Sequence, residues 1–125
     1  MVENFFSVAG ITKPIHIELA KKSDLILIAP ATADIIAKLS YGFADDVLSC
    51  TVLATEAPVI VVPAMNDKMY ANAATQENIE RLKKRGFIFV PPVEGHLVCS
   101  DHGMGHIADN AAIRKAVHNT LAKKK

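Results

Sequence analysis

The segment Pro58-Val-Ile-Val-Val-Pro63 constrains the fold more than any other part of the chain. Its β-branched residues, Val59 to Val62, form a run too short for a helix and too apolar for a strand with one wet face. Such a run reads as a strand buried on both faces, the condition of a parallel sheet covered by helices. Pro63 has no N–H to give to a ladder, so the strand is expected to stop there. A second run, Leu25-Ile-Leu-Ile-Ala29, ends at Pro30 in the same way. Small and polar residues follow each: Ala31-Thr-Ala-Asp34 after the first, Ala64-Met-Asn-Asp67 after the second. In open α/β sheets, ligands bind just beyond the carboxyl ends of the strands. The two turns are therefore expected to build one site along one edge of one sheet.

With 125 residues the chain has room for at most one domain, taken as 1–125, and half of its residues are hydrophobic, enough for a core. The formal net charge is +1 with both signs interspersed, which argues against nucleic acid or an anionic membrane surface as a partner. The Lys123-Lys-Lys125 run reads as a solvated tail. No apolar run approaches the length that spans a bilayer. The N-terminus lacks the charged and apolar regions of a signal peptide. Two cysteines, Cys50 and Cys99, make no disulfide framework, so a reducing cytoplasm is the expected location.

Ile15 to Lys22 patterns as a short helix with Ile15, Leu19 and Ala20 on one side. His16, near its start, is either an exposed helix-end histidine or a general acid or base with a pKa near working pH. Thr32 to Leu39 is an amphipathic helix with Thr32 as N-cap and Gly42 as its stop. Helix N-termini hold anions, so Thr32 either caps only or marks a place for a phosphate or an electron-rich ring edge. Asp45 or Asp46 opens the next helix, which runs through Leu53 and carries Cys50 as an inert core thiol. Asn66 stands at the second strand-end turn. The commoner role of an asparagine there is to cap; the functional alternative is to read a substrate with its amide.

Ala74 to Arg85 is a surface helix begun by Asn72 or Thr75 and stopped at Gly86, with Ile79 and Leu82 facing inward. Phe87 to Val90 is a third strand. Val93 to Asp109 reads as one long, glycine-hinged loop, and long loops in compact domains are usually lids or binding loops. It holds His96, Cys99, His102 and His106. A structural zinc site wants four ligands at paired spacings, which one cysteine and scattered histidines do not offer. No metal is expected, and Cys99 reads as a reactive lid thiol. Asn110 to Lys123 closes the chain as a helix capped by Asn110, with Ile113, Val117 and Leu121 as its inward stripe.

Five motifs stand in order from Ile15 to Asp109: His16-Ile-Glu-Leu-Ala20, Ala29-Pro-Ala-Thr-Ala-Asp34, Gly42-Phe-Ala-Asp-Asp46, Pro63-Ala-Met-Asn-Asp-Lys-Met-Tyr70 and Gly95-His-Leu-Val-Cys-Ser-Asp-His-Gly-Met-Gly105. Together they resemble the homo-oligomeric flavin-containing cysteine decarboxylases, most closely the phosphopantothenoylcysteine branch that serves coenzyme A biosynthesis. The resemblance implies an α/β, Rossmann- or flavodoxin-like parallel sheet with flanking helices. It implies FMN as cofactor, a small-molecule substrate, and a homo-oligomer that is a trimer or a multiple of trimers. In that family FMN oxidises the cysteine end of phosphopantothenoylcysteine to a thioaldehyde. Loss of carbon dioxide leaves an enethiol, and reduced flavin with a cysteine-supplied proton returns it to phosphopantetheine.

Carried onto this chain, His16 matches the active-site base, Asn66 the amide that holds the substrate carboxylate, and Cys99 the lid proton donor. Thr32, Ala33, Asp34 and Ile35 match the turn that contacts FMN, and Ala64 a flavin-contacting backbone position. His96, Leu97 and Val98 match lid residues over the substrate. Ser100 and His106 depart from the glycine and arginine that many relatives carry. The family also begins with a strand and a glycine- and serine-rich turn for the FMN phosphate, and Met1 to Pro14 is too short to hold them. The sheet is therefore expected to lack its usual first strands, with a partner chain as one source of that segment. The alternatives are a non-catalytic binding or assembly module of the same fold, or a decarboxylase of another cysteine-ended substrate such as a peptide.

Overall fold

The computed structural model describes residues 15–96 and 102–124. The chain runs α1 (Ile15–Lys22), β1 (Ile26–Ala31), α2 (Ala33–Tyr41), α3 (Val47–Ala54), β2 (Val59–Pro63), α4 (Asp67–Ala71), α5 (Ala73–Lys84), β3 (Ile88–Phe89), β4 (Val93–His96), β5 (His102–His106) and α6 (Asn110–Lys124). Strands β1, β2 and β3 form one parallel sheet in that order, with Ile26 opposite Val59, Ile28 opposite Val61 and Ile60 opposite Ile88. This is the α/β arrangement expected from the apolar runs.

All five residues of β2 are buried, because both faces of the strand are covered. Val59 and Val61 pack into one cluster with Ile36 and Leu39 of α2, Val52 of α3, and Ile79 and Leu82 of α5. Ile60 and Val62 turn the other way, to Val90 and Ala108 and to Ile113, Ala116 and Val117 of the α6 side. Full burial of each such side chain contributes about 1.5–3 kcal/mol. The absence of alternation in the sequence of β2 thus has a direct cause: neither face meets water.

Pro63 is the last residue of β2, as expected, but Pro30 does not end β1. β1 passes through Pro30 to Ala31, and Ala31 pairs with Pro63. The register shifts between Ile28 and Ala31, so the ladder is already interrupted where Pro30 has no N–H to offer. Beyond it, the Ala64 amide donates to the Ala31 carbonyl at 3.1 Å.

The helix signals decide most boundaries. Thr32 caps α2, and Gly42 ends it in the left-handed region at φ 75°, where a side chain would be strained. Asn72, not Thr75, caps α5, its Oδ1 accepting from the Ala74 amide at 2.8 Å. At the other end of the chain Asp109, not Asn110, caps α6: its carboxylate accepts from the Ala112 amide at 2.8 Å. Ile113 and Val117 face the sheet as expected, but Leu121 is exposed, and buried Thr120 takes the inward position with its hydroxyl on the Ala116 carbonyl.

The stretch from Val93 to Asp109 is not one loop. β4 and β5 pair antiparallel, with Gly95 opposite Gly103 and His96 opposite His102. Among the described residues no helix is long and apolar enough to cross a membrane.

Asp46 opens α3 with a reciprocal capping box: its carboxylate accepts from the Ser49 amide at 2.7 Å, and the Ser49 hydroxyl accepts from the Asp46 amide at 3.1 Å. The Lys38 ammonium lies 3.2 Å from Asp45 and 3.3 Å from Asp46. The Ser49 amide, more than the Ser49 hydroxyl and Lys38, holds the Asp46 carboxyl below its ordinary value. A carboxyl lowered on folding stabilises the fold above its unfolded pKa and loses that contribution as pH falls through the lowered value. Asp46→Ala is expected to cost about 1 kcal/mol at neutral pH. Asp46→Asn should keep most of the cap yet weaken the acid-side fall in stability. Urea midpoints measured from neutral pH into the acid range check both; an unaltered acid limb in Asp46→Asn would refute the assignment.

Candidate active site

Two turns meet at the carboxyl ends of β1 and β2, tied by the Ala64 amide to the Ala31 carbonyl. The first turn is Thr32, extended at φ −79° and ψ 166°, with its Oγ1 accepting from the Ile35 amide at 3.2 Å. A helix start leaves several N–H groups without intrahelical partners. Thr32 satisfies one, while the amides of Ala33 and Asp34 remain at the positive end of the α2 dipole. The side chains around this point are small: Ala29, Ala31, Ala33 and Ala64. A flat ligand can therefore approach the backbone closely. Asp34 is exposed and Ile35 half-buried against the core.

The second turn is Asn66. It is exposed, and its Oδ1 accepts from the amides of Lys68 at 2.8 Å and Met69 at 3.4 Å, capping α4. Both partners are donors, so the amide oxygen must face them and the two Nδ2 hydrogens must face away. The capping role and the substrate-reading role are thus compatible: one end of the amide holds the helix and the other is free to donate to an acceptor.

Strand β5 lies against α4, so the hairpin stands beside the helix that Asn66 begins. His96 is placed on β4 by the backbone pairing with His102. Leu97, Val98, Cys99 and Ser100 lie outside the described residues. His16 is the second residue of α1, and its side chain also lies outside the described part. His106 is exposed, with Nδ1 at 3.0 Å from the Ile107 carbonyl. Cys50 is half-buried on α3, its thiol on the Ala44 carbonyl at 3.1 Å. The strand-end turns therefore bring Thr32, Ala33, Asp34, Ile35, Ala64 and Asn66 to one edge of the sheet. Among the described residues, no group of three or more His, Cys, Asp or Glu could hold a metal ion.

A cleft of about 180 Å³ lined by Leu39, Gly42, Phe43, Leu53, Arg85 and Phe87 lies at the far end of α2 from Thr32. It is separate from the strand-end turns. Two supports of the site carry no local signal in the sequence. Arg81 and Arg85 donate to the Ser40 hydroxyl at 2.7 Å and carbonyl at 2.8 Å, pinning the last turn of α2 to α5. Gln76 donates to the Tyr70 carbonyl at 2.6 Å, joining α4 to α5.

Known proteins share this arrangement. The Coenzyme A biosynthesis bifunctional protein CoaBC of Vibrio cholerae is 46% identical over 109 residues, which is 87% of this chain. The chain spans 27% of that relative's length. Among solved structures, a PPC decarboxylase mutant complexed with pantothenoylaminoethenethiol superposes with a TM-score of 0.84 at 31% identity, covering 94% of this chain and 66% of that one. The FMN-dependent cysteine decarboxylase SpaF superposes at 0.69 and 33% identity, over 86% of this chain and 56% of its own. The flavodoxin-like sheet implied by the sequence motifs is the fold of these neighbours. The Flavoprotein family model matches residues 3–122, and the chain therefore belongs to the Flavoprotein family.

Proposed function

We propose that this chain is the FMN-dependent decarboxylase of phosphopantothenoylcysteine in coenzyme A biosynthesis, working in the cytoplasm as a homo-oligomer, a trimer or a multiple of trimers. The observation that carries this reading is the Asn66 amide, turned donor-outward at the same sheet edge as the start of α2. Membership of the Flavoprotein family and likeness to CoaBC and to PPC decarboxylase support it.

The residues at the strand ends fit the ring of a flavin. Alanines at 33 and 64 leave room against the backbone, and the first amides of α2 offer donors to electron-rich ring atoms. Thr32, Ala33, Asp34, Ile35 and Ala64 would hold FMN there. FMN held there would supply a two-electron acceptor and donor for the cysteine end of the substrate.

The chain's own groups do the rest. Asn66 donates through Nδ2 to the substrate carboxylate and orients it. His16 is the base near the reacting end. His96, Leu97 and Val98 would cover the substrate, and Cys99 would give the proton that completes the product. A second reading, decarboxylation of another cysteine-ended substrate, is favoured by the likeness to SpaF.

Asn66→Asp separates the two jobs of this residue. Aspartate caps as well as asparagine, so stability should stay within about 0.5 kcal/mol. A carboxylate only accepts, and it would face the substrate's own charge. Carbon dioxide release should fall at least about a hundredfold, as a loss of roughly 3 kcal/mol in the transition state implies. Undiminished release would remove Asn66 from the substrate site. In Cys99→Ser, carbon dioxide should still be released while the unsaturated product accumulates in mass spectra; complete loss of release would refute the proton-donor role. His16→Asn should abolish turnover while FMN stays bound after gel filtration. Full turnover in that variant would end the case for His16 as the base.

A further inference from the structure

Helix α4 has five residues, too few to hold itself together. Its start is capped by Asn66, and the Tyr70 amide closes the turn on the Asn66 carbonyl at 2.9 Å. Its far end would leave carbonyls without partners. One of them, that of Tyr70, accepts from Gln76 Nε2 at 2.6 Å, and the Asn72 amide covers that of Met69 at 3.3 Å. Gln76 sits on α5, whose Thr75, Asn78, Ile79 and Leu82 are buried. A continuous string therefore runs from the core through α5, Gln76 and Tyr70 to the backbone of Asn66.

We propose that Gln76 is a positioning residue for Asn66: it anchors the end of α4 to rigid α5 and so fixes where the Asn66 amide points. Its consequence for catalysis rests on the substrate role of Asn66 given above. Gln76 touches neither substrate nor cofactor. It acts by denying α4 the freedom to fray, which would let the capped amide swing off its axis.

Amide hydrogen exchange by NMR on the full chain tests the string directly, with Lys68 and Tyr70 as probes and Ile79 and Leu82 as references. Gln76→Met fills the same space without a donor. Loss of one hydrogen bond should speed exchange at Lys68 and Tyr70 about fivefold or more, with the references unchanged. Gln76→Glu sets an acceptor against the Tyr70 carbonyl and should speed it further. Gln76→Lys returns a donor and should restore most of the protection. With the carboxylated substrate, Gln76→Met should raise KM by a similar factor, change kcat less than about twofold, and keep its FMN, as loss of ground-state binding would.

Unchanged exchange in Gln76→Met, an equal rise at Ile79 and Leu82, or a Gln76→Lys variant no better protected than Gln76→Met would each overturn the proposal. Should Gln76→Met fail to fold, the ordering of the Glu and Lys variants decides by the same rule. The exchange result stands apart from the decarboxylase reading. If Asn66→Asp leaves turnover intact while the exchange pattern holds, the positioning survives and the substrate role fails.

Discussion

Everything in this chain hangs on the two-sided burial of β2. Val59 and Val61 enter one core and Ile60 and Val62 the other, so the strand is gripped by α2, α3 and α5 on one side and by α6 on the other. Such a strand gains nothing from alternation, and a slip by one residue would not expose it. It would instead drive each side chain into a pocket shaped for its neighbour, which close packing penalises. The shape of the two cores, rather than polarity, therefore holds the register. That register sets how far the ends of β1 and β2 project, and the Ala64 to Ala31 hydrogen bond then fixes the two turns to each other.

The site uses the fold's own caps. Thr32 accepts from the Ile35 amide and keeps a hydroxyl hydrogen; Asn66 accepts from Lys68 and Met69 and keeps an NH2. Each side chain has two chemical ends, one committed to the helix and the other not used by the cap. A residue in this position is rigid because its structural job immobilises it. The same logic runs outward: Ser40 under Arg81 and Arg85 steadies α2, and Gln76 steadies α4.

What was legible in the sequence was local. The cap at Thr32 and the stop at Gly42 follow from hydrogen bonds or dihedrals spanning a few residues, while the choice of Asp46 over Asp45 and of Asn72 over Thr75 needed the structure. Where two neighbours have equal local chemistry, the sequence cannot choose: Asp109 rather than Asn110 caps α6 because its carboxylate is the one that reaches Ala112. The β4–β5 hairpin leaves no signal in the sequence, because its strands are rich in glycine and histidine and show no alternation of apolar residues. It pairs through backbone bonds and rests on α4, a contact invisible to periodicity. Leu121 is exposed despite its place in the stripe, because a helical stripe says which residues share a face, not how far the partner surface extends.

The sequence by itself determined that two short apolar strands would lie parallel, that the second would be buried on both faces, that each would open into a small polar turn, and which side chains would stand there. Those are consequences of side-chain branching, the missing proline N–H and capping chemistry, all settled within a few residues. Only the tertiary structure decided that the Ala64 amide ties the two turns together, that the hairpin stands beside α4, and that Gln76 reaches the end of that helix. Those depend on strand register and on hydrogen bonds between separate elements, which exist only once both cores have closed around β2.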